Sequence, residues 1–341
     1  AIAGILAGEN LPHLKLNPAS YTDETLIVGG QTVAFRAYRD IPYAVRPRDR
    51  ERERMSIFIP AAYFSGGTVN GYTAKTAPIF LPNDVGGYMP GEILAPALDG
   101  TKANASLVAL SRGLVVAAPA IRGRTDKNKE GVYVGKAPAC IVDYKAAVRF
   151  LRYNAALLPA GNTERIIASG TSAGGALSAL LGASGNSRDY DEELAAIAAA
   201  PGRDDIYAAN CYCPITDLEH ADMAYEWIFA GVMESPAATP MTADAIAASA
   251  RLKELFPSYL NSLGLRDAGG TPMQVWTDGS GSFTEYIKAI YRASAQSAVD
   301  GKMPLDGADW FTVKDGKVTD IDLAKYAVWA TRLKAAPAFD R

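Results

Sequence analysis

Histidine is scarce in this sequence: two residues in 341, His13 and His220. Chemistry that needs an imidazole must use one of them or borrow one from another stretch of polypeptide. Cysteine is nearly as rare. Cys140, Cys211 and Cys213 are too few for a disulfide framework. Cys211 and Cys213 lie two apart in what reads as a strand, so they should share a face as buried thiols. Their spacing matches neither a CxxC pair nor a zinc site. No apolar run approaches the ~20 residues that span a bilayer. The net charge of −3 gives no global attraction to nucleic acid or an anionic membrane. Repeats and low-complexity tracts are also missing. The opening stretch AIAGILAGEN has neither Met nor a charged leader region. It fits either the end left by signal-peptide removal or an artificial end, and slightly favours a secreted or periplasmic location over a cytoplasmic one.

What is present is the composition of a globular chain with a large core, 49% apolar and 21% charged. Short β-type runs alternate with helical ones. Met55–Ile59, Ala77–Leu81, Leu114–Ala118, Arg165–Ser169 and Ala208–Ile215 read as strands. The spans 104–112, 139–154 and the ALSALLGASG segment read as helices. This alternation predicts an α/β fold with a mostly parallel sheet covered by helices. The densest charge run, RPRDRERERM, alternates in sign. As a strand it would put Arg50, Arg52 and Arg54 on one face and Glu51 and Glu53 on the other, a solvated edge. From about Ala221 to Lys317 the rhythm breaks into helices (244–256, 283–298) between Gly- and Pro-rich loops. The expected organisation is therefore a core over 1–220, a large helical cap insertion over 221–317, and a return towards the core over 318–341.

Within SGTSAGGALS, Gly170-Thr171-Ser172-Ala173-Gly174 is G-x-S-x-G, placed after an expected strand and before an expected helix. A serine held on a tight strand-to-helix bend needs small neighbours where backbone crosses backbone, which Gly170 and Gly174 supply. Ser172 would then be a nucleophile beside the positive end of a helix, with the Ala173 amide as one oxyanion donor. A second donor should come from the loop after the third strand of such a sheet. PNDVGGYMPG follows the Ala77–Leu81 strand, and Gly86 and Gly87 let backbone amides approach a ligand. A plain glycine turn is the competing reading.

The base is the difficulty. His13 lies in an N-terminal extension with no patterned partner. His220 has Asp217, Glu219 and Asp222 nearby, and a compact triad with Ser172 is conceivable. The α/β-hydrolase order is serine, acid, histidine, with the last two after the final strands. A hydrogen-bonded structural histidine is the preferred reading of His220.

Five long blocks carry a resemblance. VNGYTAKTAPIFLPNDVGGYMPG, AIRGRTDKNKEGVYVGKAPACIVDYKAA, GTSAGGALSALLGASGNS, YCPITDLEHADMAYEW and RLKAAPAFD, in this order, resemble bacterial tannases, the tannin acyl hydrolases of the α/β-hydrolase superfamily. The likeness runs from about Val33 to Asp340. It implies hydrolysis of galloyl esters with no metal or organic cofactor. It makes Ser172 the nucleophile and matches Ala173 and Gly87 to the oxyanion positions. It matches Ile215 to a residue packed on the galloyl ring and Lys334 to a lysine on the galloyl hydroxyls. From the sequence alone Lys334 is a solvated helix-end lysine; an ammonium donor suits phenolic oxygens.

The sequence departs from the family after PAFD. There the family continues into final strands that carry the acid and the histidine, so the triad Asp and His are not in this chain. Two strand–helix units need ~60 residues. The expectation is a C-terminal fragment or second chain that completes the fold and the triad. Besides that fragment, an aromatic ester substrate is the expected partner, with no nucleic acid and no membrane. A feruloyl or general aryl esterase remains an alternative. So does a non-catalytic ligand-binding protein that kept the serine and lost the base.

Overall fold

The structure, a computed structural model, describes residues 14–215, 217–232 and 241–337. His13 and the last residues of the RLKAAPAFD block lie outside the described residues. The chain divides into two compact units, one up to Thr216 and one from Asp217.

The first unit is built on a mixed seven-stranded sheet in the order β1-β2-β3-β7-β4-β8-β9. The strands are β1 (Thr22–Val28), β2 (Gln31–Pro42), β3 (Arg54–Pro60), β4 (Pro78–Pro82), β7 (Val115–Pro119), β8 (Asn162–Thr171) and β9 (Ala208–Tyr212). A small antiparallel pair, β5 (Leu98–Asp99) with β6 (Lys102–Ala103), stands apart. The sheet is parallel from β7 through β4 and β8 to β9. It is antiparallel from β1 to β7. The expected parallel sheet is thus half of the observed one. The β1–β2 hairpin was not anticipated, because its strands are largely exposed and lack a continuous apolar run.

Strands β4 and β7 are buried at all five positions, as strands covered on both faces must be. Their side chains alternate between two cores. Ile79, Leu81, Val115 and Ala117 join one cluster with Tyr144, Val148 and Leu177. Phe80, Val116 and Ala118 face the other with Phe35, Phe58 and Leu110. These contacts place helices α2 (Ala139–Tyr153) and α3 (Ala173–Ala183) on one face and α1 (Ala105–Ser111) on the other. Each fully buried Leu, Ile or Phe contributes about 1.5–3 kcal/mol. A short α4 (Asp191–Ala196) precedes β9.

The charge run behaves differently from expectation. Residues 45–53 form turns rather than a strand. Glu53 is buried beside Arg122, and its carboxylate accepts from the Asp49 amide at 2.7 Å. A buried cation drew one acid inward, which sign alternation cannot reveal. The cysteines also differ: Cys140 is buried, Cys211 half-buried and Cys213 exposed. The strand stops at Tyr212, and Cys213 turns into the left-handed region at φ +45°. The two thiols therefore do not share a buried face.

In the second unit, α5 (Leu218–Phe229), α6 (Ala243–Ser262) and α7 (Ser282–Asp300) are followed by a hairpin of β10 (Phe311–Lys314) and β11 (Lys317–Ile321), then α8 (Leu323–Ala330). The hairpin was missed because most of its residues are exposed. Two small apolar clusters hold this unit. One is formed by Phe256, Leu260 and Val275, the other by Ala295, Trp310, Val318 and Ile321.

Candidate active site

The sheet order makes β4 a switch point. The chain leaves β4 for β7 on one side, then returns past it to β8 on the other. Ligands bind at such points, outside the carboxyl ends of the parallel strands. Two loops meet there. Pro82 of β4 is the partner of Ser169 of β8, so the loop from Asn83 starts beside the bend that follows β8.

Ser172 is that bend. It separates β8 from α3 with φ +59° and ψ −121°, a conformation that costs a non-glycine residue of order 1–3 kcal/mol. Its own amide donates to the Tyr212 carbonyl at 2.9 Å, and its carbonyl accepts from Ala176 at 3.0 Å. The backbone is thus pinned on both sides. A Cβ on Gly170 would meet the Gly174 carbonyl at 2.3 Å, and one on Gly174 would meet the Val85 carbonyl at 2.7 Å. Both glycines are required by crossing backbone. Ala173 opens α3, so its amide has no acceptor one turn earlier in the helix.

Asn83 fastens the second loop to this bend, and no role for it was read from the sequence. It is buried. Its side-chain amide reaches the carbonyls of Ser169 and Gly174, each at 3.1 Å, and the Ser178 hydroxyl at 3.0 Å. Tyr144 closes the network by donating to the Leu81 carbonyl at 2.6 Å. Burial pushes that phenol up to about 12, so it remains a donor. Further along the loop, Gly87 has φ +56° and open space where a Cβ would stand. Ile215 lies three residues past β9, partly exposed, in the segment that begins beside the Tyr212 carbonyl holding Ser172. Ser172, Ala173, Gly87 and Ile215 therefore all belong to the first unit, in segments that follow parallel strands.

Behind the loops lies a buried ionic cluster. The Arg122 guanidinium donates to Asp143 at 2.6 Å and stands 3.6 Å from Glu53. Burial, then the Asp143 charge, raise Glu53 to about 7 against the pull of Arg122. Burial also raises the Asp143 carboxyl, which Arg122 offsets. The Cys140 thiol donates to the Arg122 carbonyl at 3.0 Å. Burial pushes it up to about 12 and removes it as a nucleophile.

The BD-FAE family model matches residues 106–259, a span that contains Ser172. A tannase structure from Fusobacterium nucleatum is 44% identical with a TM-score of 0.85, over 96% of this chain and 73% of that one. The chain belongs to the tannase family. Two further tannin acyl hydrolase structures, the native Lactobacillus plantarum protein and a complex with ethyl gallate, are each 44% identical at a TM-score of 0.83. Each match covers 96% of this chain and 73% of theirs. No curated protein matches the chain.

The remaining residues singled out from the sequence lie in the second unit of this tannase. His220 sits in the first turn of α5, whose N-cap is Asp217. Its Nδ1 is 3.0 Å from Asp217 Oδ1, and its ring stacks on Tyr259 at 3.8 Å. The Tyr259 hydroxyl also donates to Asp217. Asp217 and Tyr259 thus fix the ring through Nδ1 and one face. Lys334 is exposed, and its carbonyl accepts from Arg332 Nε at 2.7 Å. Arg332 is itself buried and paired with buried Glu226. Glu226 also accepts from Ser249 at 2.6 Å. An Arg and a Glu this far apart in sequence gave no signal before the fold was known.

Proposed function

We propose that Ser172 is the nucleophile of this galloyl ester hydrolase, working with the Ala173 and Gly87 amides as its oxyanion hole. The observation that carries the assignment is the strained serine between β8 and α3, in a member of the tannase family. The Ser172 hydroxyl attacks the ester carbonyl carbon while its proton passes to an imidazole. Negative charge on the carbonyl oxygen is met by the two amides, each worth about 3–4 kcal/mol in the transition state. The bond to the alcohol breaks, and the alcohol leaves with the proton. An acyl-serine remains, and water releases the aromatic acid. Ile215 packs on the acyl ring, and Lys334 donates to its phenolic oxygens.

The imidazole and its acid come, in this reading, from a further polypeptide segment that also extends the sheet. Three observations support it. His220 is engaged with Asp217 and Tyr259. The relatives are longer, since the match covers 73% of their chains. Strand β9 pairs with β8 at one edge of the sheet and is exposed at four of its five residues. An edge of this kind is a ready template for another strand. The residues from Ala221 to Lys317 form the cap of the fold in the same reading.

Covalent labelling by a fluorophosphonate, with Ser172→Ala as control, tests the assignment. Labelling and gallate-ester turnover should both vanish in the variant. Turnover that survives Ser172→Ala would remove this serine from the reaction. Mass measurement of the active particle tests the completing segment. An active particle made of this sequence alone would refute it.

A further inference from the structure

The G-x-S-x-G bend encloses a polar side chain from outside its own sequence. A Cβ on Gly170 would stand 2.5 Å from Asn83 Nδ2, and one on Gly174 would stand 2.4 Å from Asn83 Oδ1. The two glycines therefore make room for the Asn83 amide as well as for crossing backbone. Asn83 keeps only 5% of its surface exposed. An amide in such a place must find partners for its N–H groups and its oxygen.

Those partners lie on both sides of Ser172. Nδ2 donates to the carbonyl of Ser169 in β8 and to the carbonyl of Gly174 in the first turn of α3, each at 3.1 Å. The Ser178 hydroxyl, 3.0 Å from Nδ2, donates in turn to the Gly174 carbonyl at 2.9 Å. Oδ1 accepts from the Val85 amide at 3.2 Å, and the Asn83 backbone amide donates to the Ser169 carbonyl at 2.9 Å. The backbone bonds of Ser172 itself run to Tyr212 after β8 and to Ala176 along α3. The Asn83 amide adds a tie from the end of β8 to the start of α3, across a residue whose backbone conformation is strained. The far side of the loop is held separately. In the 86–89 turn the Met89 amide donates to the Gly86 carbonyl at 2.9 Å, and Arg124 Nε donates to the Gly87 carbonyl at 3.0 Å.

We propose that Asn83 is a positioning residue for the nucleophile: its side-chain amide spans the Ser172 bend from β8 to α3 and fixes the backbone from which the hydroxyl projects. The inference rests on the assignment of Ser172 as the nucleophile. In this role Asn83 touches no substrate and acts only through the bend. A nucleophile moved off its line of attack slows the chemical step, while the contacts that bind the ground state remain. Loss of the tie should therefore appear in kcat rather than KM.

The test compares Asn83→Ala and Asn83→Asp with wild type in the complete active enzyme, using a gallate ester and a fluorophosphonate below the melting transition of each variant. Asn83→Ala should lower kcat about 10- to 100-fold, with KM within about threefold and labelling of Ser172 slowed as much as kcat. Asn83→Asp keeps the size of the side chain and the acceptor for Val85, but once ionised it has no donor. Its kcat should fall in alkaline solution, and its ratio to wild type should recover as pH falls and the buried carboxyl takes up a proton, which returns one donor. Asn154→Ala is the structural control. Asn154 is another buried asparagine of the first unit, with its side chain on the Leu14 carbonyl at 2.8 Å, the Phe150 carbonyl at 2.9 Å and the Leu16 amide at 2.8 Å. Its loss should lower the melting temperature and leave kcat and labelling within about twofold, as for a site independent of the bend. The proposal is overturned by an Asn83→Asp enzyme with wild-type kcat across the pH range. It is equally overturned by an Asn83→Ala enzyme that loses no more kcat and labelling rate than Asn154→Ala, or whose KM rises as much as its kcat falls. Labelling that persists in Ser172→Ala would instead overturn the assignment of the nucleophile.

Discussion

Each unit contains a buried arginine that supports a segment of the proposed site, and the two are supported differently. Arg122 in the first unit lies between two carboxylates, Asp143 and Glu53, beneath a core that runs through β3, β4, β7, β8, α2 and α3. Arg332 in the second unit pairs, among the described residues, with Glu226, in a unit whose apolar clusters are small. Sheet register already places Ser172 and the Asn83 loop, and the Arg122 cluster braces what the register has set. In the segment of Lys334, Arg332 Nε donates to the Lys334 carbonyl while its guanidinium pairs with Glu226. An irregular segment depends on its polar ties more than one that continues a buried strand.

The comparison can be broken at its centre first. Ser172→Ala should lower gallate-ester turnover by on the order of 10⁵–10⁶-fold with an unchanged melting temperature, since the backbone there is held by Tyr212 and Ala176. A large melting shift would mean that the hydroxyl also carries structure. Next is Glu226→Gln, which removes the carboxylate paired with buried Arg332. It should cost about 3–5 kcal/mol in denaturant unfolding and reduce turnover of galloyl esters more than of simple aryl esters, through Lys334. Equal losses on both substrates would detach Lys334 from phenol recognition. Asp143→Asn should cost less than Glu226→Gln, because Glu53 remains to neutralise Arg122; the reverse order would refute the contrast drawn here.

The smallest effect concerns pH. Glu53 is raised from 4.5 to about 7 by burial and by Asp143. A carboxyl raised on folding binds its proton more tightly in the native state. Its contribution to stability is complete below its unfolded value near 4.5 and is lost as pH rises through about 7. Glu53→Gln should flatten the stability profile between those values and raise stability above pH 7 by on the order of 1–3 kcal/mol. Urea midpoints across that range measure it, and a variant less stable than wild type at pH 8 would contradict the assignment.

Much of the site was legible where its requirements are local. Gly170, Ser172 and Gly174 are neighbours in the chain, and the bend they form needs no distant partner to be recognised. The buried strands β4 and β7 announced themselves by continuous apolar runs. Reading failed where burial was decided from afar. Glu53 looked like one charge among many until Arg122 was beside it. Cys213 looked like part of a strand until the chain turned at Tyr212. The β10–β11 hairpin has mostly exposed residues, so no apolar pattern marked it.

By itself the sequence determined which residue is the nucleophile candidate and what bend it occupies, because that geometry is imposed by steric limits on adjacent residues. Tertiary structure alone decided how the 86–89 turn is held and how the Lys334 segment is carried. The ties responsible join residues 37 apart, Gly87 with Arg124, and 106 apart, Glu226 with Arg332. Hydrogen bonds over such separations exist only once the fold has brought their ends together, so neither end shows its role in the residues around it.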